Sequence, residues 1–386
     1  MKKIFISAAG ICFSASLMAG VYGDTADARH AWAVHDNNRP NPVKITANPG
    51  QAPSDAVILF DGSEATFEKN WCSAGKPSTN TWKFVDGTMM PVKGAGYLMT
   101  KQSFGDCQLH IEWAAPTEIV GYGQGRGNSG VFLMGNYEVQ VLDSYETDPS
   151  KSPNPNPVCA DGQASAVYAE IPPLVNACRA PGEWQTYDIV FHQPIWEGDK
   201  MIHPGSITVF HNGVLTQDHW EMEGLTTHRF RRPLKPHATR LPLKLQDHGN
   251  PVRFRNIWIR EIPSRYADTV SGGPGTKEAD VLALRQKLAA ELFKKVDTNK
   301  CDYDMVQNIF EVVSYYKTPE YLEACKKIVS GYIANMEKWD DAMLDSQKGK
   351  IMALQRATVT LLRNKVFEKC ALSEKIKEIS KKKNWK

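Results

Sequence analysis

Two carboxylates and an amide accompany one apolar strand in the stretch NYEVQVLD, residues 136–143. Because side chains alternate along a strand, Glu138 and Gln140 face away from the apolar residues between them, and Asp143 follows just past the strand. A polar row on an apolar strand costs folding free energy unless it is solvated or paired. We interpret the row as the working surface, with Glu138 and Asp143 as catalytic candidates and Gln140 as a substrate contact. A turn-capping role is the alternative for Asp143.

A second polar cluster closes the predicted strand PLKLQDH, residues 242–248. On the alternation of that strand, Lys244, Gln246 and His248 share one face. His248 is therefore a third catalytic candidate, as a general base or as a metal ligand near neutral pH. A purely structural histidine is the alternative. If a divalent metal ion takes part, its candidate ligands are Glu138, Asp143 and His248.

Four further residues are candidate substrate contacts. Arg255 alternates with apolar residues in VRFRNI (252–257), where it could orient a carboxylate or a sugar hydroxyl, or stand as a surface charge. Asn128 precedes the strand VFLM and could hydrogen-bond a ligand, although a turn role fits equally well. Glu112 in HIEW and Tyr168 in SAVYAE complete the set.

The elements that must position these residues are strands. Between residues 56 and 262, about a dozen short runs rich in branched and aromatic residues are separated by Gly, Pro, Asn and Asp. Gly135-Asn136 and Asn212-Gly213 are hairpin signals. No segment with helical periodicity interrupts the series. The pattern predicts an antiparallel sandwich or jelly roll over residues 57–262. Residues 148–182 are predicted to be a long functional loop that contains one strand, SAVYAEI.

The composition of the sequence changes at residues 263–275, PSRYADTVSGGPG, and we interpret this segment as a linker. Residues 276–386 show apolar residues at helical spacing and predict a small α-helical bundle of four or five helices. Thr318-Pro319 is a helix start, with a capping threonine and proline in the first turn. We see no catalytic constellation in this part, and we expect it to mediate protein contacts or oligomerisation.

The N-terminal residues resemble an export signal. Two lysines, an apolar run and small residues predict a signal peptide over residues 1–23, and hence a periplasmic or extracellular protein. Residues 24–56 are predicted to be an extended arm over the next domain, or a disordered linker. No other stretch approaches the length of a transmembrane helix.

The net charge of the chain bears on its class of partner, and its cysteine content bears on disulfide formation. The formal net charge is only +3, which argues against nucleic acid as a partner. Outside the predicted signal the chain has seven cysteines, so at least one thiol is free, and none shows the spacing of a zinc or redox motif. If a disulfide forms, Cys159 and Cys178, which flank one loop, are the first pair we expect.

Motifs for several enzyme classes are absent from the sequence, namely GxSxG, a phosphate loop, HExxH and a dinucleotide fingerprint. The order Glu138, Gln140, Asp143 is similar to the bulged catalytic strand of laminarinase-type glucanases, where two glutamates flank an aspartate. Here Gln140 replaces the middle acid and Asp143 the last one. A retaining mechanism with two carboxylates is therefore in doubt.

Six stretches together resemble the 3-keto-disaccharide hydrolase domain family, whose members are exported concanavalin-like jelly rolls. They are LFDGSEATF (59–67), WKFVDGTM (82–89), GNSGVFLMGNYEVQVLDS (127–144), PGEWQTYDIVF (181–191), VFHNGVL (209–215) and LQDHGNPVRFRNIWI (245–259). The resemblance implies an oligosaccharide or glycoside substrate with a ketone at C3. That ketone acidifies the C2 proton, so a base removes it, the C1 group is expelled, and water adds afterwards.

The resemblance implies roles for the candidate residues. Glu138 or His248 is then the base, while Gln140, Asn128 and Arg255 hold the sugar, and a divalent ion on the 3-keto oxygen is a further hypothesis. Two other functions stay open at this stage. One is an ordinary glucanase-type glycoside hydrolase, and the other is a non-catalytic carbohydrate-binding module.

Overall fold

Short strands separated by turns and loops run through residues 43–264. The computed structural model describes residues 23–76 and 78–385 of the chain. The strands are β1 Val57–Phe60, β2 Trp71–Ser73, β3 Lys83–Val85, β4 Thr88–Met90, β5 Leu98–Phe104, β6 Cys107–Ala114, β7 Ser129–Leu133, β8 Tyr137–Val141, β9 Gln185–His192, β10 Ile195–Glu197, β11 Lys200–His203, β12 Ser206–His211, β13 Val214–Glu221, β14 Gly224–Leu225, β15 Arg232–Pro233, β16 Leu241–Leu245 and β17 Arg253–Glu261. The helical segments among them are α1 Glu64–Asn70 and two short 3-10 turns, Gly123–Gly125 and Ala160–Gly162.

Two large sheets contain most of these strands. The eight-stranded sheet has the order β13–β12–β9–β6–β17–β4–β3, with β1 also paired to β17. The five-stranded sheet has the order β2–β5–β16–β7–β8. Neighbouring strands are antiparallel in both sheets. Two small ribbons, β10–β11 and β14–β15, lie outside them.

One apolar core lies between the two sheets. Leu109, Ile111 and Ile189 of the larger sheet and Val131 and Val139 of the smaller one are fully buried in the same cluster. Each sheet therefore turns one face to the core and the other face outward. This arrangement is a jelly-roll-like sandwich, and it confirms the mainly β fold class predicted from the sequence.

The sandwich differs from the sequence prediction in two local elements. The helix α1 was not predicted; Ser63 begins it by accepting a hydrogen bond from the Thr66 backbone amide at 3.2 Å. The run SAVYAEI, which was predicted to be a strand, forms only isolated bridges. Val167 pairs with Val139 and with Ile171. Residues 165–168 nevertheless lie along β8, so this part of the predicted functional loop reaches the candidate strand.

The described cysteines outside the predicted signal are unpaired thiols. The pairing of Cys159 with Cys178 is therefore wrong for this structure. Cys178 packs with its sulfur 3.8 Å from the Leu142 carbonyl oxygen, whereas Cys159 is exposed. The two positions flank one loop in sequence, but sequence position alone does not bring two sulfurs within bonding distance.

A second unit contains the remaining helices. They are α2 Glu278–Phe293, α3 Tyr303–Tyr315, α4 Pro319–Met336, α5 Asp341–Ser346, α6 Lys348–Arg363 and α7 Ala371–Lys382. Thr318 caps α4, with its hydroxyl accepting from the Tyr321 backbone amide at 3.1 Å, as the sequence predicted. Within the described residues the bundle thus has six helices, where the sequence predicted four or five.

Residues 23–42 belong to this helical unit. Arg285 donates to the Asp27 carbonyl at 3.0 Å, Asn38 donates to Glu311 at 2.6 Å, and Ala26 is buried among the helices. The first part of the predicted arm, up to residue 42, therefore belongs to the helical unit, and residues 43–56 belong to the other unit. The predicted signal peptide, residues 1–23, lies outside the described residues except for its last position. None of the helices within the described ranges has the length and apolar character needed to cross a membrane.

Candidate active site

Glu138 lies on the outward face of the five-stranded sheet. Its cross-strand partner on β7 is Phe132, which in turn pairs with Lys244 on β16. Lys244 pairs with Met99 on β5, and Met99 pairs with Cys72 on β2. Because cross-strand partners share a face, these five side chains form one row, which we call the Glu138 row. Neighbouring positions such as Val139 and Val131 point into the core, as the alternation of the sequence predicted.

Burial dominates the electrostatics of Glu138. The residue is only 4 % exposed, and burial raises the pKa of its carboxyl group to about 8. Gly130 makes room for this carboxyl group, since a Cβ at that position would lie 2.2 Å from Glu138 Oε1. A buried carboxyl group that exchanges a proton near neutral pH is suited to general acid–base chemistry.

Gln140 connects Glu138 to an amide network. Its terminal amide lies 3.1 Å from Glu138 Oε1 and 3.0 Å from the Ser129 carbonyl oxygen, and its nitrogen donates to both when it faces them. The second polar atom of the Gln140 amide lies 2.8 Å from Gln124 Oε1. The same Gln124 oxygen lies 3.0 Å from Asn128 Nδ2. The buried Asn128 Oδ1 has no hydrogen-bond partner among the described residues. The predicted contacts Gln140 and Asn128 therefore lie in one network that holds Glu138.

Tyr168 stands beside Glu138 on the same face. Its backbone amide donates to the Glu138 carbonyl oxygen at 3.1 Å, and the adjacent Val167 pairs with Val139. Burial raises the pKa of the Tyr168 phenol, and the charge of Glu138 raises it further. The phenol oxygen is 2.8 Å from His228 Nδ1, and the two rings are stacked. The structure thus joins Glu138, Tyr168 and His228 in one cluster.

Asp143 has a different environment. Its Oδ2 accepts a 2.6 Å hydrogen bond from Arg126 Nε, and both side chains of this ion pair are buried. The β7–β8 pairing is regular from Tyr137 to Val141, without a bulge. In a regular strand Asp143 does not continue the face of Glu138 and Gln140. The structure therefore places Asp143 in a buried ion pair and not on the Glu138 row.

His248 lies in the exposed loop that follows β16. Among the described residues, no hydrogen bond or ion pair joins its ring to Glu138 or to Asp143. No three His, Cys, Asp or Glu side chains converge as a metal site in the parts of the chain that the structure describes. The proposed ligand set of Glu138, Asp143 and His248 does not fit a metal ion here, and we derive no catalytic step through one.

Glu112 and Arg255 face outward from the other sheet. They are cross-strand partners on β6 and β17, and Arg255 Nε donates to Glu112 Oε2 at 2.6 Å. The Arg255 guanidinium also stacks 4.0 Å from the centre of the Trp184 ring. The outward faces of the two sheets lie on opposite sides of the core, so the structure does not bring Glu112 and Arg255 to Glu138.

Several residues of the site were not among the sequence candidates, among them Gly130, Lys244 and His228. Gly130 and Lys244 could have been found from the alternation of their strands, because each shares the outward face with a predicted site residue. His228 had no local signal, since it lies 60 positions from its partner Tyr168. Its place in the site follows from long-range pairing alone.

Comparison with known proteins identifies the family. The model of the 3-keto-alpha-glucoside-1,2-lyase-like domain matches residues 55–260, which is more than half of the chain. The chain belongs to this family. That result confirms the resemblance seen in the sequence, and the helices of residues 278–382 lie outside the match.

The sandwich also resembles solved structures. A candidate glycosyl hydrolase from Parabacteroides distasonis is 39% identical, with a TM-score of 0.53, and the match covers 60% of this chain and 98% of that chain. A second such protein from Parabacteroides distasonis is 16% identical, with a TM-score of 0.40, covering 54% of this chain and 94% of that one. The latter similarity is too distant to support an argument about the site. No curated protein matches the chain.

Proposed function

We propose that this family member is a carbohydrate-active enzyme that cleaves 3-keto-glycosides by C2 proton abstraction and elimination. The observation that carries the proposal is the buried carboxyl group of Glu138, held beside Tyr168 on the outward face of a sheet. Family membership and the 39% identical candidate glycosyl hydrolase support the carbohydrate-active assignment. The 3-keto substrate is the finer part of the proposal.

In the proposed reaction Glu138 is the base. Its carboxylate removes the C2 proton, which the neighbouring ketone acidifies, and the electron pair of the broken C–H bond forms an enolate. The enolate then re-forms the ketone while the C1–O bond breaks, leaving a C1–C2 double bond. The departing oxygen takes a proton, for which Tyr168, bonded to His228, is the proposed donor. Water adds to the double bond afterwards.

A second route, double displacement by a pair of carboxylates, has less support. That route needs a nucleophile and a general acid on the two sides of the glycosidic bond. Asp143 is already bonded to Arg126 in a buried pair, and Gln140 is the other polar residue of β8 on the face of Glu138. A single base with neighbouring hydrogen-bond donors is what proton abstraction requires.

A comparison of two substrates tests the proposal. We expect the full-length protein to cleave a 3-keto-glucoside and not laminarin, with deuterium from D₂O appearing at C2 of recovered substrate or product. Glu138→Gln should lower the rate on the order of 10²–10⁴-fold, the usual contribution of a general base. Glu112→Gln, on the opposite sheet, is the matched control and should keep the rate. Cleavage of laminarin alone, or an unaffected Glu138→Gln rate, contradicts the proposal.

We also propose that the protein acts outside the cytoplasm. The support is the lysine pair, apolar run and small residues of positions 1–23. Expression of the full-length chain followed by fractionation, with mass spectrometry of the N-terminus, tests it. A cytoplasmic protein that keeps residues 1–23 would be the contrary result.

A further inference from the structure

The ribbon β14–β15 brings a six-residue tip, residues 226–231, to the site. Thr226 Oγ1 accepts from the Glu138 backbone amide at 2.9 Å and donates to the Asn136 carbonyl oxygen at 2.9 Å. Two residues further along the tip, His228 Nδ1 lies 2.8 Å from the Tyr168 phenol oxygen. The tip is therefore fixed to two residues of the proposed active site, and its other side chains lie at the edge of that site.

The tip belongs to a strongly basic segment. Residues 224–246 contain no Asp or Glu, and their Arg and Lys residues are Arg229, Arg231, Arg232, Lys235, Arg240 and Lys244. Arg240 is paired with Glu261. Within the described residues, by contrast, Arg229, Arg231 and Lys244 make no ion pair or side-chain hydrogen bond. Such groups are ready to bind an anion, because no carboxylate among the described residues is paired with them.

Two of these cations lie near residues of the site. Lys244 is a member of the Glu138 row, two strands away from Glu138. Arg229 directly follows His228, whose ring bonds the Tyr168 phenol at 2.8 Å, and its positive charge lowers the pKa of that phenol against the larger effect of burial. Phe230, next to Arg229, is 68 % exposed and offers an aromatic face to a sugar ring.

The carboxylates near these cations are few and bonded elsewhere. Glu170 accepts from the Trp220 indole and the Gly224 amide, and Asp247 accepts from the amides of Gly96 and Gly249. Asp161 is hydrogen-bonded to the Cys159 thiol and raises its pKa, and its charge also raises the pKa of the Tyr168 phenol. Glu138 is the acid of the row itself. The positive charge of Arg229 and Lys244 is therefore not cancelled by a direct partner.

From this arrangement we infer that the substrate carries an anionic group, bound by Arg229 and Lys244 on a sugar next to the bond that is cleaved. The inference rests on the proposed function, since it names the substrate class of the same site. A carboxylate or a sulfate ester meets the requirement, because both present oxygens to a guanidinium fork and to an ammonium group.

Calorimetric titration of the full-length protein with three disaccharides tests the inference. They are cellobiose, its 6-sulfate on the non-reducing sugar, and glucuronyl-β-1,4-glucose, none of which has the ketone needed for turnover. We expect at least one anionic sugar to bind about tenfold more tightly than cellobiose, which is about 1.4 kcal/mol. Which anion binds better distinguishes the carboxylate from the sulfate ester.

Matched variants locate the charge effect. Arg229→Gln and Lys244→Gln should each remove the tenfold preference, whereas Lys235→Gln, an exposed lysine beyond the tip, should keep it. All three replace exposed or partly exposed side chains, and thermal melts of each variant check that it is folded. Equal affinity for all three sugars overturns the inference, and so does an equal loss in Lys235→Gln.

The two proposals can fail separately. Turnover of a neutral 3-keto-glucoside that Arg229→Gln leaves unchanged, together with equal binding of the three disaccharides, retains the proposed function and overturns the anionic subsite. Tight binding of an anionic disaccharide without any 3-keto turnover supports the subsite and contradicts the proposed reaction.

Discussion

Replacing Glu138 with glutamine removes a carboxyl group that is 4 % exposed and whose pKa burial raises from 4.5 to about 8. In the unfolded chain the same group ionises near 4.5, so the folded state binds more protons between these two values. The contribution of Glu138 to the free energy of unfolding is therefore fully present below pH 4.5, and it is lost progressively as the pH rises to about 8. A difference of about 3.5 pH units, at about 1.4 kcal/mol for each, sets the loss at about 5 kcal/mol.

Glutamine has no such dependence, because it is neutral at every pH. We therefore expect Glu138→Gln to gain stability relative to the native protein by about 1.4 kcal/mol for each pH unit between 5 and 8, with no further change above that range. Its hydrogen bonds with Gln140 add an offset that does not depend on pH. The slope, and not the offset, reports the buried carboxyl group.

Hydrogen exchange followed by mass spectrometry measures this slope in the full-length chain. Peptides that cover β7 and β8 report the opening of the five-stranded sheet separately from the helical unit. Comparing the two proteins at the same pH cancels the intrinsic pH dependence of exchange. A stability difference that stays constant from pH 5 to 8 would refute the reasoning, because Glu138 would then be solvated.

Glu112→Gln is the matched control. Burial raises the pKa of the Glu112 carboxyl group, but hydrogen bonds from Asn256 and Arg255 outweigh that effect and lower it. Its contribution to stability is present above pH 4.5 and is lost as the pH falls through the lowered value. Between pH 5 and 8 the Glu112→Gln difference should therefore be flat.

Two further predictions concern the residues around Glu138. Asp143→Asn should lower stability by about 3–5 kcal/mol in urea unfolding, because it leaves the buried Arg126 charge without its partner; an unchanged midpoint would contradict a structural ion pair. Gly130→Ala should lower stability by about 1–3 kcal/mol, since its Cβ would lie 2.2 Å from Glu138 Oε1 and 2.8 Å from Phe132. In the Glu138→Ala background the same change should cost less, and strictly additive effects in this double-mutant cycle would show that the two residues do not compete for space.

The sequence was sufficient to predict the sandwich and the faces of its strands, because alternation is a local property. Glu138 and Gln140 were placed on one outward face by period alone, and the register of β7 with β8 agrees. The same reasoning could not place Asp143. Its position depended on whether the strand had a bulge, and a bulge leaves no mark in a single sequence.

Alternation also cannot tell which sheet a strand joins. Glu112 and Arg255 have the same pattern of polar and apolar neighbours as Glu138, yet they line the outward face of the other sheet. Contacts between segments that are distant in the sequence could not be predicted from alternation either. The bond between Tyr168 and His228 joins positions 60 residues apart, and the bond between Glu138 and Thr226 joins positions 88 apart.

The burial of Glu138 also affects its strength as a base. A carboxylate of ordinary pKa is ionised at neutral pH but is a weak base for a proton next to a ketone. With a pKa of about 8, about a tenth of the molecules are ionised at pH 7, and each ionised group is a stronger base. Catalysis by a general base is most effective when its pKa lies near the working pH, because ionised fraction and base strength are then balanced. The same burial that costs folding stability thus gives Glu138 a pKa suited to proton abstraction. Gly130 permits it, because a Cβ at that position would collide with the carboxyl group.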